Sequence, residues 1–204
     1  MESDRAREHD PSGGDRLVLE LQGYYRQFAL IERTATVLLE SLTEAQLTWR
    51  DDVRTWSIAD CLNHLVVTGN HSLRGIRSAV VEARAGGLLA VGPFRHSVLE
   101  NWFIRLMDAP PTIKFKVPKA YRPVPVVSPF EIVAGFFLLQ DELFRALNEA
   151  NGVDLRRVKV VNPVSKWFKL SLGQEFAFTA AHERRHLWQA TRVRERLSST
   201  GVVG

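Results

Sequence analysis

A single cysteine, Cys61, stands among the 204 residues. An internal disulfide is therefore excluded, as is a zinc site built on several thiolates, and one thiol fits a reducing, cytoplasmic setting. Long apolar runs are missing too. No stretch approaches the roughly 18 apolar residues of a membrane span, and the opening "MESDRAREHDPSGGDR" lacks the hydrophobic segment of a secretory signal. A soluble, unsecreted protein is the expectation. Sustained strand alternation and repeats of twenty to fifty residues are both lacking, which argues against sheet folds and solenoids. Nor does one sign of charge dominate. With 27 Lys and Arg against 23 Asp and Glu the net charge is +4, and the signs are mixed along most of the chain. Such mild basicity is a weak pointer to nucleic acid.

What remains is a chain with 45% hydrophobic residues, enough for the core of one domain. Residues 1–15 are polar and broken by Gly and Pro, so they are expected to form a disordered tail ahead of a domain over 16–204, and His9 is set aside with them. From Leu17 the apolar residues Leu21, Tyr24, Phe28, Ile31, Ala35, Leu38 and Leu42 recur in steps of three and four, predicting one long helix. A second helix runs from the N-cap pairing of Ser57 with Asp60 to Gly86-Gly87. "PFRHSVLENWFIRLMDAPP" predicts a shorter helix, stopped by Pro110 and Pro111 and packed across the bundle. Residues 109–129 hold six of the nine prolines and must form a long extended or irregular crossing. A third long helix begins at Ser128-Pro129, carries Phe130, Val133, Phe137, Phe144 and Leu147 on one face, and stops at Gly152. The fourth starts at a capping-box pair, Ser171 and Gln174, and runs nearly to the end. The fold class expected is all-α: a four-helix bundle with a short extra helix and a long Pro-rich crossover.

The last helix carries "AAHERRHLWQATRVRERL", residues 180–197. Its H-E-x-x-H pattern suggests a zinc peptidase with Glu183 as general base. Such enzymes take a third ligand from downstream, but no histidine follows His186, and the only later acid, Glu195, lies on the same helix. His182 and His186 are nonetheless four residues apart, with Cβ atoms roughly 5–6 Å from each other on one face. Thr179, Ala190, Val193 and Leu197 share that face and turn it inward. Two buried imidazoles need hydrogen-bond partners or a metal, because leaving them unpaired costs on the order of a few kcal/mol each.

A third ligand must then lie upstream, at His64, His71 or His96. His64 and His71 sit roughly 10 Å apart along one helix and cannot both reach one ion. His64 lies among Ile58, Cys61, Leu65 and Thr68, whereas His71 stands beside Asn70, Ser72 and Arg74, and His96 beside Arg95. The apolar setting favours His64. Alone it would read as a core histidine bonded to a carbonyl.

"TEAQLTWRDDVRTWSIADCLNHL", followed much later by "HERRHLWQATRVRE", resembles the DinB-like superfamily. The resemblance covers roughly residues 16–197 by helix order, and rests on the Trp-Ser-Ile run ahead of a helix histidine and on His-x-x-x-His-Leu-Trp-Gln. It implies a four-helix bundle with a three-histidine metal site whose ligands fall on His64, His182 and His186. The Pro-rich stretch departs from the simplest members. The resemblance also implies a homodimer, a small-molecule substrate, and either metal-dependent hydrolysis or transfer and isomerisation using low-molecular-weight thiols such as mycothiol or bacillithiol.

Three neutral imidazoles leave one position of a tetrahedral ion open to water or to a substrate thiolate. Zn, Ni and Fe all suit such ligands. Cys61, one turn before His64, is a candidate fourth ligand, though a small buried hydrophobe is its commoner role. Glu183 is a candidate base, set against a surface pairing with an arginine. Asp141 and Gln189 are candidates to orient an imidazole N–H, set against an ordinary solvent-edge position. Trp188 and the aromatics at 102–103 and 167–168 either line a pocket or fill the core. A rival reading takes Arg184, Arg185, Arg192, Arg194 and Arg196 as a phosphate-binding cluster, against a helix-dipole role for most of them. In another, the metal is purely structural.

Overall fold

The computed structural model describes residues 14–94, 98–110, 128–161 and 169–199. The tail through residue 13, most of the Pro-rich stretch, His96, the aromatic pair 167–168 and the side chain of Phe103 lie outside the described residues. Six helices and one hairpin make up the rest: α1 (Leu19–Leu39), α2 (Glu44–Thr48), α3 (Ile58–Ala85), α4 (Val98–Met107), α5 (Pro129–Ala150), strands β1 (Lys159–Val161) and β2 (Lys169–Ser171), and α6 (Leu172–Ser199).

The helix starts follow from side-chain capping. Ser57 accepts from the Asp60 N–H while the Asp60 carboxylate accepts from the Ser57 N–H, fixing the first turn of α3. Ser128 caps α5 with Pro129 in its first turn. Ser171 and Gln174 exchange equivalent bonds at the head of α6. α1 stops at Leu39, earlier than the apolar spacing through Leu42 predicts, because Ser41 takes a left-handed φ of 61°. The chain then enters α2 through a second capping box, Thr43 with Gln46. The two strands, antiparallel with Val160 opposite Leu170, are only three residues long.

α1, α3, α5 and α6 form the bundle. α3 packs against α5 and α6, and α1 packs against the same two, so α1 and α3 face each other across one diagonal and α5 and α6 across the other. Paired residues give the directions. Tyr24 meets Phe176 and the Arg194 guanidinium meets the Leu38 carbonyl, so α1 and α6 run parallel. His64 meets His182 and Ser72 meets Glu175, so α3 and α6 run antiparallel. α5 is antiparallel to α1, with Tyr25 against Phe144 and Val18 against Asn151. α3 and α5 therefore run the same way, and the chain between them must return along the bundle. α4, the described helix of that connection, lies against α6. Gly69 makes the parallel approach possible: a Cβ there would lie 2.5 Å from a Leu139 methyl of α5.

The core confirms the inward face of α1 from Leu17 to Leu38 and that of α6. The predicted face of α5 needs correction. Phe144 and Leu147 are buried, but Phe130 is 51% exposed and Val133 and Phe137 are only partly covered. The buried arc runs instead through Ile132, Phe136, Leu139, Gln140, Leu143 and Leu147, because α5 must face α1 and α3 together. Among the described residues no helix is long and apolar enough to cross a membrane.

Candidate metal centre

Two antiparallel helices meet where three imidazoles converge. His64 stands in the second turn of α3, held by the capped start at Ser57, and His182 and His186 stand one turn apart on α6. One potential ligand atom from each lies within 4.8 Å of the other two. Nε2 of His64 and Nε2 of His182 are 3.2 Å apart. Two ligands of a tetrahedral ion at bonds of 2.0–2.1 Å would stand about 3.3–3.4 Å apart. The ring centroids are separated by 5.0 Å for His64 and His182, 4.5 Å for His64 and His186, and 4.7 Å for His182 and His186.

The electrostatics favour neutral rings. Burial, then the charge of His64 and of Arg185, holds the His186 pKa down to about 3; the Gln189 side chain opposes the shift slightly. His182 is held well below the usual histidine range by burial, then by His186, His64 and Arg185. Part of its surface still reaches solvent although its imidazole is densely surrounded, whereas His64 and His186 are buried. Neutral imidazole is the ligating form, so no protons need be displaced for an ion to bind.

A single N–H···N bond between His64 and His182 is the alternative without metal, and it leaves Nδ1 of His186, a buried atom with no hydrogen-bond partner, unexplained. The donor set, its spacing and its neutral state all fit one divalent transition ion.

Gln189 stays with the cluster, its side chain hydrogen-bonded to His186, whereas the other candidates separate from it. His71 lies partly exposed on α3, its Nδ1 at 2.8 Å from the Arg74 guanidinium. Cys61 is buried, is not one of the grouped ligands, and burial pushes its thiol far above the usual range. It serves the core. Glu183 neither joins the cluster nor pairs with a surface arginine. It is buried in the bundle interior, where Gln140 Nε2 donates to its Oε1 at 3.0 Å, and burial raises its pKa to about 8. Asp141 is partly exposed and outside the cluster. Trp188 and Trp102 are exposed at 40% and 58% and do not fill the core.

The arginine cluster is engaged within the protein. Arg184 forks onto Asp108 at 2.6 and 2.9 Å and also reaches Gln27; Arg185 donates to the Leu106 carbonyl at 3.2 Å. Arg192 pairs with Glu195, Arg196 with Asp51, and Arg194 with the carbonyls that end α1.

Sequence reasoning missed two neighbours. Trp56, in the loop before α3, lies against two rings of the cluster: its centroid is 5.0 Å from His64 and 5.5 Å from His186, the latter at 25° between planes. Phe178 stacks on His182 at 5.9 Å and 10°. Both carried a signal: Phe178 stands four residues before His182, and Trp56 opens the Trp-Ser-Ile run ahead of His64, but neither had been given a role at the site.

A family model described as DinB superfamily matches residues 27–190, spanning all four bundle helices and all three histidines. The chain belongs to the DinB superfamily. Searches of curated proteins and of solved structures give no match. Within this DinB chain, the matched span joins the Trp56 loop, α3 and the histidine-bearing turn of α6 in one unit.

Proposed function

We propose that this DinB-superfamily protein is a metal-dependent enzyme that binds one divalent ion through His64, His182 and His186 and uses it for thiol-dependent S-transfer. The observation that carries the reading is a cluster of three imidazoles, two of them held neutral by burial, that among the described residues contains no carboxylate. A bound ion would supply Lewis-acid charge that favours the anionic form of a thiol co-substrate at neutral pH. The protein's own part is to keep the rings of His182 and His186 deprotonated by burial, and to set the aromatic faces of Trp56 and Phe178 against the cluster. Hydrolysis gains more from a base beside the ion, and Glu183, the nearest carboxylate in sequence, is spent on Gln140 instead.

The same reading sets the protein in a reducing cytoplasm, where small thiols are available. Exposed Leu30 and Val37 of α1 and exposed Trp188 of the adjacent α6 support association of two copies. Light scattering tests that point.

The experiment is elemental analysis of the wild type beside His64→Ala, His182→Ala and His186→Ala, followed by assays of the loaded wild type. One ion per wild-type chain, lost in each variant, is expected. Turnover is expected with bacillithiol or mycothiol plus 1-chloro-2,4-dinitrobenzene, and not with 4-nitrophenyl acetate alone. Metal retained in all three variants would refute the site, and ester turnover without thiol would turn the reading to hydrolysis.

A further inference from the structure

Ligating histidines in proteins are ordinarily held in orientation by a hydrogen bond from the ring nitrogen that does not face the metal. On His186 the Gln189 side chain makes a hydrogen bond of this kind, and Nδ1 is the buried atom left without a protein partner. The ring also lies on the face of Trp56, at 5.5 Å and nearly parallel, and the same indole leans on His64 at 5.0 Å. One side chain thus touches a ring on each of the two helices that build the cluster.

Trp56 is itself fixed in place. Asp52 accepts from the Arg54 N–H and Thr55 donates to the Asp52 carbonyl, closing a tight turn just before it. Immediately after it, Ser57 is locked to Asp60 through its N–H and its hydroxyl, both at 2.8 Å, and Asp60 in turn pairs with Arg50 at 2.9 Å. The indole is partly buried, and the backbone on both its flanks is fixed by these bonds.

We infer that Trp56 is a positioning residue of this metal centre, holding the planes of His64 and His186 through its ring contacts with both. Offset contacts between aromatic rings have a preferred geometry, which gives the indole directional control over both imidazoles. The inference rests on the metal-binding reading above, and the two can fail separately.

The test uses Co(II) as the probe, read by chelator competition and by its visible absorption. The variants are Trp56→Leu, which fills the space without a ring face, and Trp56→Phe, which restores one. Trp188→Leu, on the exposed side of α6, is the control. Trp56→Leu should weaken Co(II) binding about 10- to 100-fold and alter the absorption bands, as loss of an orienting neighbour does. Trp56→Phe should recover most of that loss and the wild-type bands, and Trp188→Leu should match the wild type. Wild-type affinity and spectrum in Trp56→Leu would overturn the inference, as would a Phe variant no better than the Leu variant. Failure of the wild type to bind Co(II) would instead remove the metal-binding reading itself.

Discussion

Gln140 and Glu183 hydrogen-bond across the diagonal of the bundle, Nε2 to Oε1 at 3.0 Å, although their helices α5 and α6 pack mainly on α1 and α3 rather than on each other. Each residue is left with one buried oxygen lacking a partner, Oε1 of Gln140 and Oε2 of Glu183. An amide at 183 would offer an N–H to the first of these while still accepting from Gln140. Glu183→Gln should therefore keep the metal and fold at least as stably as the wild type, whereas Glu183→Ala should lose about 1–3 kcal/mol by stranding Gln140. The pH dependence has a definite sign. The folded pKa of Glu183 is raised to about 8 from an ordinary value near 4.5, so its contribution is complete below the ordinary value and lost as pH rises to about 8. Urea unfolding of the metal-free proteins should show the wild type falling behind Glu183→Gln between pH 5 and pH 8. Equal pH profiles would mean that the carboxyl is not buried in the native state.

The histidines give the opposite limb. His186 is held down to about 3 and His182 well below its usual range, so both stay neutral in the fold where an unfolded chain would begin to protonate near 6.5. Their contribution to stability is present above 6.5 and lost as pH falls towards the folded values. Binding of an ion should accordingly vary little, within about threefold, between pH 6.5 and pH 8. Isothermal titration at several pH values checks this. A steep fall of affinity between pH 8 and pH 6.5 would show that the rings are solvated and charged before the ion binds.

How much of this was legible in the chain depends on whether a feature is local. Helix starts were, because a capping box joins residues three apart: Ser57 with Asp60, Ser171 with Gln174. So was the histidine pair of α6, since its spacing and apolar stripe lie on one helix, and His64 followed from its apolar neighbours. The phase of α5 was not. "FFLLQ", residues 136–140, is apolar on four consecutive positions and fits several faces, so Gln140 gave no sign of pointing inward. Strands of three residues are too short to alternate visibly. Trp56 sits in a loop, and its two ring contacts exist only because α3 and α6 bring His64 and His186 together from far apart in the chain.

The cluster of basic residues near the chain's end bears on nucleic acid, and the structure gives Arg194 a different task. Its guanidinium donates to the carbonyls of Val37, Leu38 and Glu40 at 2.7, 2.6 and 3.3 Å, closing the C-terminal end of α1, whose last turn has no basic residue of its own. Arg194→Ala should cost about 1–2 kcal/mol, a fall in Tm of roughly 2–8 °C for a domain of this size, with metal content unchanged. Calorimetry beside elemental analysis measures both. A variant of wild-type Tm that loses affinity for duplex DNA would restore the phosphate-binding reading.

Arg184 lies between the two α6 histidines in sequence and carries α4. It forks onto Asp108, just past the end of that helix, while also reaching Gln27 of α1, so a single side chain ties three helices together. Both partners of the ion pair are about one third exposed, at 31% and 33% of the side chain, which places the pair between a solvent-screened contact and a buried one. Screening limits exposed pairs to about 0.2–1 kcal/mol, and the two-pronged geometry favours the upper end of that range. A double-mutant cycle of Arg184→Met and Asp108→Asn should therefore return a coupling of about 1 kcal/mol. The same variants should release α4 from α6, seen as faster proteolytic cleavage near residue 108, before the bundle unfolds. Additive losses, with cleavage no faster than in the wild type, would show that α4 is held by its apolar face alone.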